Sequence, residues 1–243
     1  MIVANLRRTL GRADAQLAVR LAARGSDHEL QRLETTLRED GLDAILDDPR
    51  LLRALLETPR GAHASIALFT YVVVRDALRR LGESDRMVAD YLASLVVTFA
   101  EGDRAHRVGA VDDEVYDTLA RLLEDVEGPD ARRTLLVRAH LGSYALWLSG
   151  LFPDTIEHRR WRRGGPGLDY YEELGRRGYR LAADHRLAAE HGLTLLFATA
   201  AERFAVMRDA LNDVSDRLLF PQRSTPERVL RQVRLAMLRE WGG

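Results

Sequence analysis

The chain has 243 residues, of which 46% are hydrophobic and 30% charged, with a formal net charge of -1 at pH 7. That length and composition suit a globular fold, whereas a near-zero net charge argues against a protein that mainly coats nucleic acid. Cys and Lys are both absent, so all 36 basic residues are Arg, which excludes disulfides, thiolate nucleophiles and the lysine-dependent phosphate loops, kinases and pyridoxal enzymes.

The pattern of apolar residues predicts an all-α fold. Apolar side chains recur at spacings of three and four residues, and period-two runs of β-branched residues are nearly absent. Turn-forming residues separate the helical segments, and they lie at residues 25–27, 48–49, 58–61, 82–84, 128–129, 152–153, 164–167 and 224–226. We therefore expect a single-domain bundle of about nine helices over residues 1–243, in which residues 1–60 could form a peripheral N-terminal helical subdomain.

The N-terminal sequence and the hydropathy predict a cytoplasmic protein. The first twelve residues lack the apolar core and the small-residue cleavage site of a secretion signal. The longest uncharged stretch, Gly61–Val74, has 14 residues, whereas a helix needs about 20 to span a bilayer. We expect no transmembrane segment.

One arginine follows an apolar helical segment directly. Arg75 comes after Tyr71 and Val74, and Asp76 and Arg79 come next. We interpret this position as the point where the helix emerges into water, so Arg75 is not a candidate site residue.

Charge is unevenly distributed along the chain. Residues 27–48 hold 8 acidic residues against 2 Arg, and residues 101–130 hold 10 against 3. Conversely, residues 158–180 hold 7 Arg against 3 acidic residues, and residues 223–239 hold 5 Arg against a single Glu. These segments can neutralise one another within the fold, which is our first interpretation, or form two separate binding faces.

Two predicted helices in the C-terminal half carry stripes of small side chains. Gly142, Ala145 and Ser149 recur along one helix, and Gly175 and Gly178 along the next. A glycine inside a helix costs about 1 kcal/mol relative to Ala, so something must approach these faces closely. We expect the two faces to pack together below the usual interaxial distance of about 8–10 Å, with a bound small molecule as the alternative.

The candidate site residues are polar side chains on the apolar faces of these helices, namely His140, Tyr144, Tyr171, Tyr179 and Arg208. His140 lies among apolar neighbours. It is therefore either a neutral, hydrogen-bonded core residue or a general acid or base assisted by the tyrosine hydroxyls.

Arg208 lies on the apolar side of a long helix that we predict from about Leu193 to Phe220. A buried guanidinium needs a carboxylate, which belongs either to the protein or to a substrate. Asn212 and Asp216 follow at steps of four residues and complete a polar strip with Arg208.

The last predicted helix begins at Thr225 and Pro226, which suit the cap and the first helical position. Its apolar stripe is Leu230, Val233, Met237 and Trp241, and Arg228, Arg231 and Arg239 lie away from that stripe. We expect an ordinary surface helix docked through the apolar stripe. The alternative is a basic amphipathic helix that lies on an anionic membrane or on a partner.

Motifs for metals and cofactors are missing from the sequence. It contains no pair of Glu-x-x-His motifs, no His-Glu-x-x-His, no dinucleotide-binding glycine fingerprint and no G-x-S-x-G elbow. We therefore expect no metal and no cofactor. Residues 158–163 (HRRWRR) combine arginines with an aromatic ring that could hold phosphates or stack a base, but acidic segments elsewhere make nucleic acid the weaker prediction.

Several segments resemble a family of predicted all-helical bacterial proteins for which we know no established activity. The resemblance rests on HLGSYALWLSGLFPD at His140–Asp154 and DYYEELGRRGYR at Asp169–Arg180, and more loosely on YVVVRDAL at Tyr71 and ADYLASLVVTF at Ala89. It implies a shared helical core and supplies no mechanism.

The sequence is most typical of a cytoplasmic helical binding or scaffold protein. We expect it to engage a protein partner, a second copy of itself or an anionic small molecule through arginine-rich surface. The first alternative is a cofactor-free enzyme with His140 as general acid or base and Arg208 orienting an anionic substrate. The second is a nucleic-acid accessory protein that uses Trp161 and its flanking arginines.

Overall fold

The structure is a computed structural model that describes residues 1–109, 114–222 and 225–241. Within these residues the chain is all-α, as predicted, without a β-strand. The α-helices are α1 (Arg12–Ala23), α2 (Asp27–Glu39), α3 (Leu42–Leu46), α4 (Pro49–Glu57), α5 (Ile66–Arg80), α6 (Arg86–Ala100), α7 (Leu119–Glu124), α8 (Ala131–Leu151), α9 (Pro153–Arg163), α10 (Leu168–Ala183), α11 (Arg186–Glu190), α12 (Thr194–Glu202), α13 (Phe204–Val214) and α14 (Pro226–Trp241). Single 3₁₀ turns lie at Leu6–Thr9, Pro59–His63 and Arg104–His106, and a π-helical turn at Ser215–Leu219.

The 14 α-helices of the described residues correct the expected number of about nine. Each predicted break coincides with a helix boundary, but further breaks divide the predicted segments. Gly41 and Gly192 adopt left-handed φ values of 82° and 66°, and they end the turns that separate α2 from α3 and α11 from α12. The predicted helix from Leu193 to Phe220 is wrong in its length, because Arg203 separates α12 from α13 and a π-helical turn follows α13.

Helix α8 is the central element of the fold. It packs against α10 and α13, and also contacts α6, α7, α9 and α11. Its side chains are buried on most sides, so it lacks the single apolar stripe of a surface helix. Asp130 caps its first turn by accepting the backbone N–H groups of Arg132 and Arg133, and Pro153 directly follows its last residues.

The buried apolar residues form one connected core that extends from Ile2 to Leu211. The first residues join this core through α6, since the Ser94 hydroxyl accepts the Leu6 backbone N–H at 3.1 Å. A subdomain over residues 1–60 remains a prediction. In the described part of the chain, every helix is too short or too polar to cross a bilayer.

Arg75 is buried, which corrects its interpretation as the exposed end of a helix. The residue is 5% exposed. Its Nε donates to Asp47 Oδ1 at 2.8 Å, and its Nη1 donates to the carbonyl oxygen of Ser84 at 2.8 Å. The end of α3 and the loop between α5 and α6 therefore provide partners that local sequence around Arg75 does not contain.

Candidate functional site

Helices α8 and α10 meet backbone to backbone, as their stripes of small residues predict. A Cβ atom on Gly178 would lie 2.7 Å from the backbone nitrogen of Gly142 and 2.9 Å from the carbonyl oxygen of Arg138. A Cβ atom on Gly175 would lie 3.1 Å from Ala145 Cβ. The backbone of α8 therefore occupies the space beside Gly178, whereas the ring of Phe204 of α13 and Ala145 of α8 occupy the space beside Gly175. Protein atoms, and not a small molecule, fill both positions.

The end of α8 is capped by polar side chains of α13 and the π-helical turn. Asn212 Nδ2 donates to the carbonyl oxygens of Ser149 and Gly150 at 2.8 and 2.7 Å, and the Ser215 hydroxyl donates to that of Leu151 at 2.8 Å. The last carbonyl groups of a helix have no partner within it, so these bonds fix α13 on α8. Ser149, the third small residue of the predicted stripe, belongs to this contact with α13.

Three buried hydroxyl groups join α6, α8 and α10. The Tyr91 hydroxyl donates to Tyr179 at 2.9 Å and lies 3.1 Å from Ser143 Oγ, which donates to the carbonyl oxygen of Ala139. Burial raises the pKa of Tyr91 to about 12 and the pKa of Tyr179 well above its usual value. Both phenols are therefore neutral, and the network holds three helices in register.

His140 is a buried, neutral imidazole. Its Nε2 lies 3.1 Å from the carbonyl oxygen of Ala105, and because a carbonyl only accepts, Nε2 carries the proton. Its ring contacts Phe99 edge-on and stacks on Tyr144. Burial, with smaller contributions from the chain's amino terminus, Arg104 and other nearby positive charge, lowers the pKa of His140 to about 3.

Tyr144 connects His140 to a more exposed group. Its hydroxyl lies 3.3 Å from Nδ1 of His106, and that nitrogen lies 3.2 Å from the carbonyl oxygen of Tyr116. Burial and the nearby Asp117 carboxylate raise the pKa of Tyr144 to about 12. Neither Tyr144 nor His140 therefore exchanges a proton near neutral pH.

We predict that His140→Gln reduces the pH dependence of stability. The folded pKa of about 3 lies below the ordinary histidine value of 6.5, so below pH 6.5 the unfolded chain binds the additional proton and wild-type stability falls with decreasing pH. The slope from this residue is about 1.4 kcal/mol per pH unit. Gln keeps an N–H donor for Ala105 and removes the titration, so urea unfolding of this variant should show a flatter pH profile.

The exposed His191 provides the matched control for this experiment. The profile of His140→Gln is compared with that of His191→Gln, which makes the same substitution at the surface. If the stability of His140→Gln depended on pH as the wild type does, His140 would be hydrated and would titrate alike in the folded and unfolded states.

Arg208 is buried with carboxylates of its own protein. Its guanidinium pairs with Glu172 of α10 and donates to Asp209 Oδ1 at 3.0 Å. Asp209 Oδ1 also accepts from Arg234 of α14 at 2.6 Å. This geometry favours an internal ion pair over a substrate carboxylate as the partner of Arg208.

Helix α14 docks through its arginines, which corrects the expected orientation. Arg228 and Arg231 are 2% and 7% exposed. Arg231 Nη2 lies 2.8 Å from Asp154 Oδ1 of α9 and 2.8 Å from Asp216 Oδ1 of the π-helical turn, and Arg228 Nε lies 3.3 Å from the same Asp216 oxygen. Buried carboxylates thus hold the face that we expected in solvent; the side chain of Arg239 lies outside the described residues.

The opposite face of α14 is an apolar stripe in solvent. Leu230, Val233 and Met237 are 71%, 47% and 58% exposed, and Val229 extends the stripe at 48%. The side chain of Trp241 lies outside the described residues. We call Val229, Leu230, Val233 and Met237 the apolar stripe of α14.

The C-terminal half of α9 is a cluster of exposed cations. Arg159, Arg160, Arg162 and Arg163 are all exposed, and Trp161 between them is 73% exposed. Among the residues that the structure describes, none of the four guanidinium groups forms an ion pair. We call these four residues the arginine cluster of α9.

The stripe and the cluster lie on neighbouring helices, since α14 packs against α9. A cavity of about 270 Å³ beside these helices is lined by Leu230 of the stripe and by the acidic Glu157 and Asp169, and by no residue of the cluster. Asp154 and Glu157 lie on the side of α9 that faces α14, and Trp161 is the next residue on that side at helical spacing. We call the stripe, the cluster and Trp161 together the α9–α14 surface.

The structure separates the five candidate site residues. His140 and Tyr144 stack, with ring centroids 5.9 Å apart, whereas Tyr171 contacts the ring of Tyr170 edge-on. Tyr179 belongs to the buried hydroxyl network, and Arg208 belongs to the ion pairs beside α14.

Sequence reasoning missed the cluster that docks α14, which consists of Asp154, Asp216, Arg228 and Arg231. The available signal was the spacing of Arg228 and Arg231, which puts both on one helical face. That spacing does not reveal that acidic partners lie within the fold.

No family model, no curated protein and no solved structure matches this chain. The resemblance to helical bacterial proteins therefore stays an expectation.

Within the described residues, no three His, Asp or Glu side chains converge as a metal site would require.

Proposed function

We propose that the protein is a helical binding protein that attaches to an anionic membrane surface through its α9–α14 surface. The observation that carries the proposal is the inverted docking of α14, which buries Arg231 and leaves Leu230 71% exposed, next to a helix whose exposed arginines form no ion pair among the described residues. An anionic cytoplasmic leaflet would fit the expected cytoplasmic location.

The arginine cluster of α9 supplies the electrostatic part of the attachment. Basic residues near an anionic bilayer each contribute about 1 kcal/mol. Because these guanidinium groups have no carboxylate partner among the residues that the structure describes, they can approach lipid phosphates without breaking an ion pair there. Trp161, exposed in the middle of the cluster, is a residue type that prefers the interface between headgroups and acyl chains.

The apolar stripe of α14 supplies the hydrophobic part. Moving a fully exposed Leu side chain out of water is worth about 1.5–3 kcal/mol. The stripe lies on the outer face of a helix, which is convex. A bilayer deforms around such a face, whereas a folded protein partner would need a matching groove.

The positions of the candidate catalytic residues support binding rather than the enzyme alternative. His140 bonds to Ala105 and stays neutral, and Arg208 is paired with Glu172 and Asp209. The lining of the cavity beside Arg208 does not include His140. The two residues thus have separate internal partners instead of converging on one ligand.

Co-sedimentation with vesicles tests the proposal. We expect binding to vesicles with about 30% phosphatidylserine and much weaker binding to phosphatidylcholine alone. The triple variant Arg160→Gln, Arg162→Gln and Arg163→Gln should lower the partition coefficient about 100-fold. Leu230→Ser should lower it about tenfold.

Matched control variants exist for both parts. Ile66, which is also 71% exposed, provides the apolar control as Ile66→Ser. Arg12, Arg38 and Arg132 are exposed and have no ion pair, so their triple change to Gln removes the same charge elsewhere. Ile66→Ser should bind like the wild type. The arginine control should lose only the small part of vesicle binding that depends on net charge.

Three outcomes would overturn the proposal. The first is equal loss in the test and control variants, and the second is concentration-dependent self-association that Leu230→Ser abolishes without vesicle binding in the wild type. The third is salt-sensitive binding of single-stranded RNA that needs Trp161 and the arginine cluster but not Leu230, which would favour the nucleic-acid alternative.

A further inference from the structure

A second surface feature is an open groove near the N-terminus of the chain. It has a volume of about 630 Å³ and lies between α1, the start of α2 and the 3₁₀ turn Pro59–His63. This volume is within the range of about 300–1,000 Å³ that small-molecule sites occupy. No residue of the α9–α14 surface lines it.

Basic side chains from separate segments line this groove. Arg20 comes from α1, and Arg60 and His63 come from the 3₁₀ turn, whereas Asp27 is the acidic residue of the lining. Neither Arg20 nor Arg60 forms an ion pair within the described residues. Other arginines around the N-terminal helices divide between paired ones, such as Arg50 with Asp48 and Glu29, and exposed ones without an ion pair within the described residues, such as Arg12. What distinguishes Arg20 and Arg60 is that both line the same groove. Two unpaired arginines that share one groove fit an anion from outside.

The 3₁₀ turn that carries Arg60 and His63 is held in place by a tight contact. Gly61 between them is buried, and a Cβ atom there would overlap the backbone of Leu55 in α4. A larger residue would push the turn away from α4. This contact therefore fixes the backbone from which Arg60 and His63 extend at the groove.

The floor of the groove is apolar. Leu17 and Ala23 of α1 and Leu30 of α2 line it. The arrangement of cations at the rim and aliphatic groups below suits a ligand with an anionic end and an apolar body. Arginine forks bind phosphate oxygens in pairs of hydrogen bonds.

We infer that this groove binds a small organic phosphate, with Arg20 and Arg60 on the phosphate oxygens and the apolar part of the ligand on Leu17 and Leu30. His63 adds a further donor at the rim. This site goes beyond membrane attachment, since it uses different residues and a soluble ligand.

Isothermal titration of the full chain with phenyl phosphate tests the inference, with inorganic phosphate and benzoate as comparison probes. We expect saturable binding of phenyl phosphate, weaker binding of phosphate, which lacks the apolar body, and weaker binding of benzoate, which lacks the phosphate. Arg20→Gln and Arg60→Gln should each lower the affinity for phenyl phosphate at least about tenfold, the usual cost of losing a charge-assisted contact. Because both side chains are exposed, these variants should keep the wild-type melting temperature.

Arg12→Gln and Arg38→Gln are the controls, since they remove exposed arginines outside the lining. The inference is overturned if no probe binds saturably, if the control variants lose as much affinity as the groove variants, or if phosphate and phenyl phosphate bind equally. Gly61→Val offers an independent arm. It should weaken binding through displacement of the turn, and unchanged affinity in a folded Gly61→Val protein would contradict the role given to the turn.

Discussion

Gly178→Ala should lower the free energy of unfolding by about 3 kcal/mol, the upper range for overpacking a core. The expected sign is opposite to that of helix propensity, because Ala at a helical glycine normally stabilises by about 1 kcal/mol. The new methyl group would lie 2.7 Å from the backbone nitrogen of Gly142 and 2.9 Å from the carbonyl oxygen of Arg138. Backbone atoms cannot rotate away, so α8 and α10 must separate.

Gly175 provides a comparison in which a side chain is the obstacle. A methyl group there would overlap the ring of Phe204, and a smaller residue at 204 leaves room for it. Gly175→Ala combined with Phe204→Leu should therefore be more stable than the two single effects predict, with a positive coupling in the double-mutant cycle. No single partner substitution should rescue Gly178→Ala.

Urea unfolding followed by circular dichroism measures both changes, and Gly128→Ala is the control. A Cβ atom on Gly128 meets only Thr134 Oγ1, at an ordinary 3.6 Å. Gly128→Ala should change stability by less than about 0.5 kcal/mol, as surface substitutions usually do. A Gly178→Ala protein as stable as the wild type would show that α8 and α10 do not touch at this point.

The parts of the fold that local chemistry determines could be predicted from the sequence. Helix boundaries at prolines, glycines and capping residues fall where expected, as at Thr225, whose hydroxyl accepts the Arg228 backbone N–H at 3.2 Å. The contact between the glycine faces of α8 and α10 could also be predicted, since only a close approach compensates for glycine inside a helix. The break at Arg203 has no such local marker.

The orientation of α14 could not be predicted, because it depends on residues far away in the chain. Helical periodicity separates an apolar face from an arginine face, and the usual inference buries the apolar one. Here Asp154 and Asp216 present carboxylates at the docking surface, so the arginine face is buried instead. The same reason explains Arg75, whose partners Asp47 and Ser84 lie on other elements.

The two arginine-rich segments of the chain differ in whether the fold brings carboxylates near their arginines. Arg228, Arg231 and Arg234 in the last segment all have carboxylate partners within the fold, in agreement with internal neutralisation. The arginine cluster of α9 has none among the described residues. Sequence counts of charge cannot distinguish these cases, since pairing depends on which acidic groups the fold brings near.

The buried carboxylate of Asp216 is the centre of the α14 docking. Its side chain is 2% exposed, and it lies within ion-pair distance of both Arg228 and Arg231. Removing one partner of a buried ion pair costs about 3–5 kcal/mol, because the remaining charges stay desolvated without compensation. Since α14 packs mainly on α9, α13 and the π-helical turn, the protein can avoid this cost by releasing the helix.

Asp216→Asn should therefore release α14 while the rest of the fold remains intact. Hydrogen exchange is the appropriate measurement, because it reports local opening separately from global unfolding. Protection of the α14 amides should fall about 100-fold or more, and the amides of α8 and α10 should keep their wild-type protection. Asp117→Asn, at a side chain that is 81% exposed, should change neither.

A comparison of single and triple variants distinguishes lost charge balance from lost shape. Asp216→Leu combined with Arg228→Met and Arg231→Met removes all three charges of the buried cluster, and replacing a buried ion network by apolar side chains is often neutral or stabilising. The triple variant should recover most of the α14 protection that Asp216→Leu alone loses. If it does not, the docking of α14 depends on hydrogen-bond geometry at Asp216 rather than on charge balance, and the outward direction of the apolar stripe then needs another cause.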